Sequence, residues 1–140
     1  MFPAYRRSGG RVTYASSDYH EMHVAIPLNW KTRNYYGTIY GGTLYSAIDP
    51  IYMLMLIAIL GPEYIVWDKA AKIRFRRPGK TTLFAHFNLP GSEIEEIKRL
   101  AETARSIDRI YNLELKDAEG VVHAEIEKTL YISKKREGNS

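Results

Sequence analysis

A chain of 140 residues, 45% hydrophobic and 26% charged, is expected to form one soluble globular domain, 1–140, with a core that needs no staples. With no cysteine, disulfides, thiol nucleophiles and thiolate metal sites are excluded, and a reducing, cytoplasmic setting is expected. The net charge of +4 suits an anionic small ligand as well as a nucleic acid and does not choose between them.

Residues 1–10 contain Arg6 and Arg7 but no apolar segment behind them, so they do not read as a secretory leader. They and residues 134–140 are expected to be flexible tails. Arg11 to Tyr14 fits a short strand. From His20 the pattern alternates, with His20, Met22, Val24, Ile26 and Leu28 on one face and Glu21, His23 and Ala25 on the other, as in a half-covered strand. Asn34 to Gly42 is a loop bearing Gly37, Gly41 and Gly42. Thr43 to Leu60 reads as one apolar helix about 27 Å long, weakened at Pro50 and stopped by Gly61-Pro62. Its longest uninterrupted apolar run, Ile51 to Leu60, is short of the roughly 20 residues that cross a bilayer, and no membrane association is expected.

Tyr64 to Phe75 alternates again. Ile65, Trp67, Ala71, Ile73 and Phe75 share one face, and Asp68, Lys72, Arg74 and Arg76 the other. Arg77-Pro78-Gly79-Lys80 reads as a turn into a strand over Thr81 to Leu89, the two strands forming a hairpin. Ser92 and Glu95 have the spacing of a capping box, and Ile94, Ile97, Leu100, Ala101 and Ala104 form the apolar stripe of a surface helix in which Glu95 can pair with Arg99. Strands are expected over Ile107 to Lys116 and Val121 to Ser133, joined by a turn at 117–120. A single apolar helix among so many amphipathic strands must be covered by them. The predicted class is therefore α+β, a twisted antiparallel sheet curled around one long helix. An open sheet of this kind leaves an edge that a second copy could pair.

Asp49 is the one acid in that helix. An unpaired carboxylate there is costly, so it is a candidate for chemistry. Asp49 followed by Pro50 also has the form of a helix cap and first position, and both readings stand. Asn34, with Tyr40-Gly41-Gly42 six residues on and Asp49 nine residues after Tyr40, resembles the hotdog-fold thioesterases of the phenylacetyl-CoA thioesterase-like branch. More narrowly, residues 37–42, Asp49-Pro50, 66–69 and 74–79 resemble an uncharacterised hotdog family known as a domain of unknown function. Tyr40 stands where the branch has a histidine, and Asp68 where it often has a small hydroxyl residue.

The resemblance implies a hotdog fold, with about five to six strands around the central helix, and hydrolysis of an acyl-CoA thioester in a homodimer or a dimer of dimers. Asp49 would act as base or nucleophile. The N–H groups of Gly41 or Gly42 would bind the oxyanion, and Asn34 would orient water or carbonyl. The loop would come from one subunit and the aspartate from the other. Tyr40 could donate its hydroxyl to the carbonyl or serve as a packing residue. Asp68 could be a second acid or part of an ion pair with Lys69, Lys72 or an arginine. Arg76, Arg77 and Lys80, with Lys72 and Arg74, could meet the phosphates of coenzyme A, or form a solvated face. A non-catalytic acyl-CoA binding protein is the alternative, and a nucleic-acid binder a weaker one. No cofactor is expected. Nor is a metal, since His20 and His23 fall on opposite faces and His86 and His123 are scattered. Gly79-Lys80-Thr81 lacks the first glycine and the following helix of a phosphate loop, and there is no Gly-x-Ser-x-Gly elbow.

Overall fold

The computed structural model describes residues 9–29, 32–39 and 41–136. The expectations placed on residues 1–8 and 137–140 lie outside these, as does Tyr40. Six strands are present: β1 (Arg11–Ala15), β2 (Glu21–Ile26), β3 (Tyr64–Phe75), β4 (Leu83–Asn88), β5 (Ile107–Lys116) and β6 (Val122–Lys134). They form one sheet in the order β1-β2-β4-β5-β6-β3, antiparallel at every junction. The α+β expectation of a sheet around one helical axis holds.

The expected hairpin between β3 and β4 does not form. β3 pairs with β6 instead, from Tyr64↔Lys134 to Phe75↔Ala124, while β4 lies between β2 and β5. Length gives a physical reason. A twelve-residue strand satisfies its backbone groups along the thirteen residues of β6, whereas β4 offers only six. β3 thus becomes an edge of the sheet.

The apolar stretch is two helical segments, α1 (Gly41–Ile48) and α2 (Ile51–Leu60). Leu44, Ala47, Ile48, Ile51, Tyr52, Met55, Leu56 and Leu60 are buried in the core with the inner faces of the strands, among them Val24, Phe87, Leu115, Ile126 and Leu130. By length and composition alone Gly41–Leu60, with a mean hydropathy of 1.7, could cross a membrane. Here it is the helix about which the sheet is built.

The third helix, α3 (Gly91–Thr103), starts two residues earlier than a cap at Ser92 would place it. Pro90, in extended conformation, is its N-cap, and no side chain caps it. Ser92 therefore falls inside the first turn. Arg99 pairs with Glu96 rather than Glu95. The helix is fixed to the sheet by Glu93, which accepts hydrogen bonds from Arg109 Nε at 2.8 Å and from the Tyr111 hydroxyl at 2.6 Å. Tyr111 in turn stacks on Tyr52 of α2, with ring centroids 4.8 Å apart, so one carboxylate links α3, β5 and the central helix.

Burial works against the Glu93 carboxylate, but the hydrogen bonds from Arg109 and Tyr111 outweigh it and hold its pKa below the ordinary glutamate value. A carboxyl held low in the folded state contributes stability above its unfolded pKa and loses it as pH falls through the folded value. Glu93→Gln should therefore cost about 1–3 kcal/mol at neutral pH in urea unfolding. The gap to wild type should narrow as pH falls below the unfolded value of 4.5.

Candidate active site

Pro50 has no N–H to donate, so the helical ladder fails at the point where Asp49 stands. Asp49 N–H still bonds to the Tyr45 carbonyl at 2.8 Å, and the ladder resumes with Leu54 N–H on the Pro50 carbonyl at 2.9 Å. Pro50 is itself the N-cap of α2, and no side chain caps that helix. Between the two readings of Asp49-Pro50, this removes the cap: the Asp49 carboxylate turns away from the helix end and meets Lys128.

Lys128 lies on β6 among inward residues, between Ile126 and Leu130, and is 1% exposed. Its Nζ donates to Asp49 Oδ1 at 2.6 Å and lies 2.9 Å from Asp68 Oδ1. The second contact is an ion pair with a buried oxygen of Asp68. The same ammonium sits 5.7 Å from the centre of the Tyr45 ring. Both acids are partly open, with 35% of the Asp49 side chain and 24% of the Asp68 side chain exposed. Burial pushes the Asp68 carboxyl up; Lys128 opposes this and Asp49 adds to it. Burial, together with the Asp49 carboxylate, pushes the Tyr45 hydroxyl up to about 12.

Asp68 was expected on the outer, polar face of β3. A bulge reverses that expectation. Asp68 pairs with Leu130 and Ala70 with Thr129, which leaves Lys69 as an extra residue and flips the alternation. Before the bulge, Val66 and Asp68 face inward with Ile132 and Leu130; after it, Ala71 and Ile73 do so with Lys128 and Ile126. Trp67, expected inside, is 53% exposed and stacks on Tyr131 at 4.8 Å. The partners proposed for Asp68 are engaged elsewhere, Lys69 with Asp108 and Lys72 with Glu127.

A second group of expected residues gathers at the other end of α1. Asn34 Oδ1 accepts three hydrogen bonds within its own loop, from the N–H groups of Tyr36 (3.0 Å) and Thr38 (3.1 Å) and the Thr38 hydroxyl (3.0 Å). Gly37 takes the positive φ, 77°, that this tight loop requires. Ile39 N–H then bonds to the Gly79 carbonyl at 2.8 Å, which brings the basic turn beside the start of α1. Within that turn Arg76 is held by Glu125 at 3.0 Å, while Arg77 and Lys80 are exposed. Gly41 and Gly42 occupy the first turn of α1, where backbone N–H groups lack helical acceptors. The Phe75 ring covers Gly41 so closely that an added Cβ would lie 3.2 Å from its Cζ.

The expected site residues thus lie in two places. Asn34, Gly41, Gly42 and the turn that carries Arg76, Arg77 and Lys80 lie at the start of α1; Asp49 and Asp68 meet Lys128, beside Tyr45, at the helix break. Eight residues of helix separate Gly41 from Asp49, about 12 Å, which is too far for both to touch one carbonyl group. Lys128 was not anticipated, although it is the one charged residue in the inward series Ala124, Ile126, Lys128, Leu130, Ile132. The histidines have other roles. His20 Nδ1 meets the Leu89 carbonyl at 2.6 Å, His23 stacks on His86, and His123 bridges Asp117 and the Pro78 carbonyl.

Comparison with known proteins agrees with this fold. The model of a family described as a domain of unknown function (DUF4442) matches residues 5–132. A protein of unknown function from Pseudomonas aeruginosa, called a probable thioesterase, superimposes with a TM-score of 0.81 at 21% identity, over 93% of this chain and 86% of that one. A protein of unknown function from Chlorobaculum tepidum gives 0.77 at 13% identity, over 96% and 88%. A thioesterase from Haemophilus influenzae gives 0.68 at 14% identity, over 94% and 82%. These likenesses establish the hotdog fold. Among curated proteins none matches the sequence.

The bonding of Asn34 makes its loop testable without a substrate. Asn34→Ala removes all three side-chain acceptor contacts, and amide exchange at Tyr36 and Thr38 should accelerate by roughly tenfold. Exchange in α3 should be unaffected.

Proposed function

The chain belongs to the DUF4442 family, and from the geometry of Asp49 within that fold we propose that it is a thioesterase that hydrolyses an acyl-CoA. One observation carries the proposal. Asp49 is a partly exposed carboxylate at a helix break, its side chain does not cap α2, and one of its oxygens is held by a buried ammonium. A carboxylate so held, with about a third of its side chain open to solvent, can still meet a water molecule or the substrate carbonyl.

The chemistry follows from the two groups of residues. Asp49 takes a proton from water as the water oxygen adds to the thioester carbonyl carbon. The oxyanion that forms is met by N–H groups at the first turn of α1, where the helix dipole also favours negative charge. Its collapse breaks the carbon–sulfur bond, and the proton passes to the departing thiolate. Direct attack by Asp49, followed by hydrolysis of the anhydride, yields the same acid and thiol.

Since Gly41 and Asp49 of one copy stand about 12 Å apart, the proposal requires Gly41, Gly42 and Asn34 of one subunit to face Asp49 of another. The free edge of β3, which carries Asp68, supports this arrangement: it can pair with a second β3 and continue the sheet. The homodimer is the minimal unit of the proposal, and two such dimers can pack together. Arg77 and Lys80, exposed beside the Asn34 loop, would meet the coenzyme A phosphates, with Arg76 already engaged by Glu125. Cytoplasmic acyl-CoA is the substrate pool that fits a cysteine-free chain.

Steady-state hydrolysis of an acyl-CoA panel tests the proposal. Asp49→Asn should lower kcat by about 10²–10⁴-fold with little change in substrate binding. Full turnover in the variant would remove Asp49 from the mechanism. Tight acyl-CoA binding with no turnover in the wild type would instead favour a non-catalytic binding protein.

A further inference from the structure

We infer that Lys128 is a positioning residue for Asp49, an ammonium on the sheet that holds one of its carboxylate oxygens and lets Asp49 and Asp68 both remain ionised side by side. This rests on the thioesterase reading and adds to it a residue from a different element.

The geometry is specific. Lys128 is on β6, Asp68 on the bulged edge strand β3, Asp49 at the helix break, and Tyr45 one turn before it. These four are the titratable groups that face one another here. The distances from Nζ, 2.6 Å and 2.9 Å, place the two carboxylates no more than about 5.5 Å apart through one cation, a range in which like charges disfavour joint ionisation. The cation relieves that conflict. Lys128 is 1% exposed, so water cannot substitute for its charge when it is removed. Its shorter contact, 2.6 Å against 2.9 Å, is the one to Asp49. This asymmetry orients Asp49 and leaves Asp68 as the counter-charge that holds the ammonium in place. The oxygen of Asp49 held by Lys128 is Oδ1, and the Tyr45 hydroxyl is a second donor beside the same carboxylate.

The test is the pH dependence of kcat/KM on an acyl-CoA, together with carbon-13 NMR of aspartate carboxyl groups in the protein without substrate. In Lys128→Met the two acids must share a proton. The acid limb of the profile and the Asp49 carboxyl midpoint should both move up, by about one to two pH units. In Asp68→Asn/Lys128→Met the competing carboxylate is gone, and both should return toward their wild-type positions. A purely structural lysine would give no such return. If Lys128→Met does not fold, Asp68→Asn alone decides, since loss of the like charge should shift both readings downward. An Asp49 midpoint that ignores these substitutions overturns the inference. The NMR arm does not depend on turnover: if Asp49→Asn keeps full activity, the thioesterase mechanism fails while the carboxyl midpoints still report on the Lys128–Asp49 pair.

Discussion

The contact of the Lys128 ammonium with Asp49 and Asp68 makes sense of two irregularities at once. A helix interrupted at Asp49-Pro50 and a strand bulged at Lys69 would each be a defect alone, since the first gives up a backbone hydrogen bond and the second reverses a face. Together they bring two carboxylates to one buried cation. The cation in turn makes the irregularities necessary. A lysine 1% exposed inside a sheet is tolerable only if its charge is matched and its protons accepted. Restoring regular β3 pairing would turn Asp68 outward and leave Asp49 as the sole partner. The local geometry of three elements is therefore set by one electrostatic requirement.

That requirement also shows why the fold was legible in the sequence and the site only in part. Period-two alternation located β2, β4, β5 and β6 because each keeps one face on the core along its length, as Leu83, Ala85 and Phe87 do in β4. The apolar helix was legible because α2 has almost no polar residue. The inward face of β3 was misread because a bulge is invisible to periodicity. Counting by twos from Ile65 carries through Lys69, and the extra residue shifts all that precedes it. The predicted β3–β4 hairpin failed for a different reason. Adjacent strands with a turn between them satisfy local rules, but backbone pairing is decided by strand length across the whole sheet, and β6 was the longer partner. Lys128 could have been found. A lone lysine among alternating apolar residues is as anomalous on a strand as a lone aspartate in an apolar helix, and two such anomalies of opposite sign are natural partners.

The other group of residues depends on the cross-connection between the Asn34 loop and the basic turn. Ile39 bonds to Gly79, and His123 places its ring between Asp117 and Pro78. The chain entering α1 is thereby tied to the end of the sheet where the β5–β6 hairpin turns. Asn34 contributes by closing its own loop, with every observed bond of its Oδ1 directed inward. Any contact it makes with a substrate must then come from its amide nitrogen, a hydrogen-bond donor. A donor suits a carbonyl oxygen or a water lone pair, the two roles expected for it.

The separation of the two groups along one rigid helix sets the final constraint. A donor array at the start of α1 and a carboxylate two turns later cannot converge within one chain, because eight residues of helix have a fixed length. Flexibility at Pro50 does not help, since Asp49 is pinned to β6 through Lys128 and α1 is fixed at its other end by Phe75 on Gly41. In the proposed mechanism, convergence would come from a second copy. Of the two edges of the sheet, β1 and β3, it is β3 that carries Asp68 and the bulge at Lys69. A bulge increases local twist and removes one residue from regular pairing, so it limits the registers in which two β3 edges can meet. In the proposed dimer, the residue that turns Asp68 toward Lys128 would therefore also restrict how a partner is placed opposite Asp49.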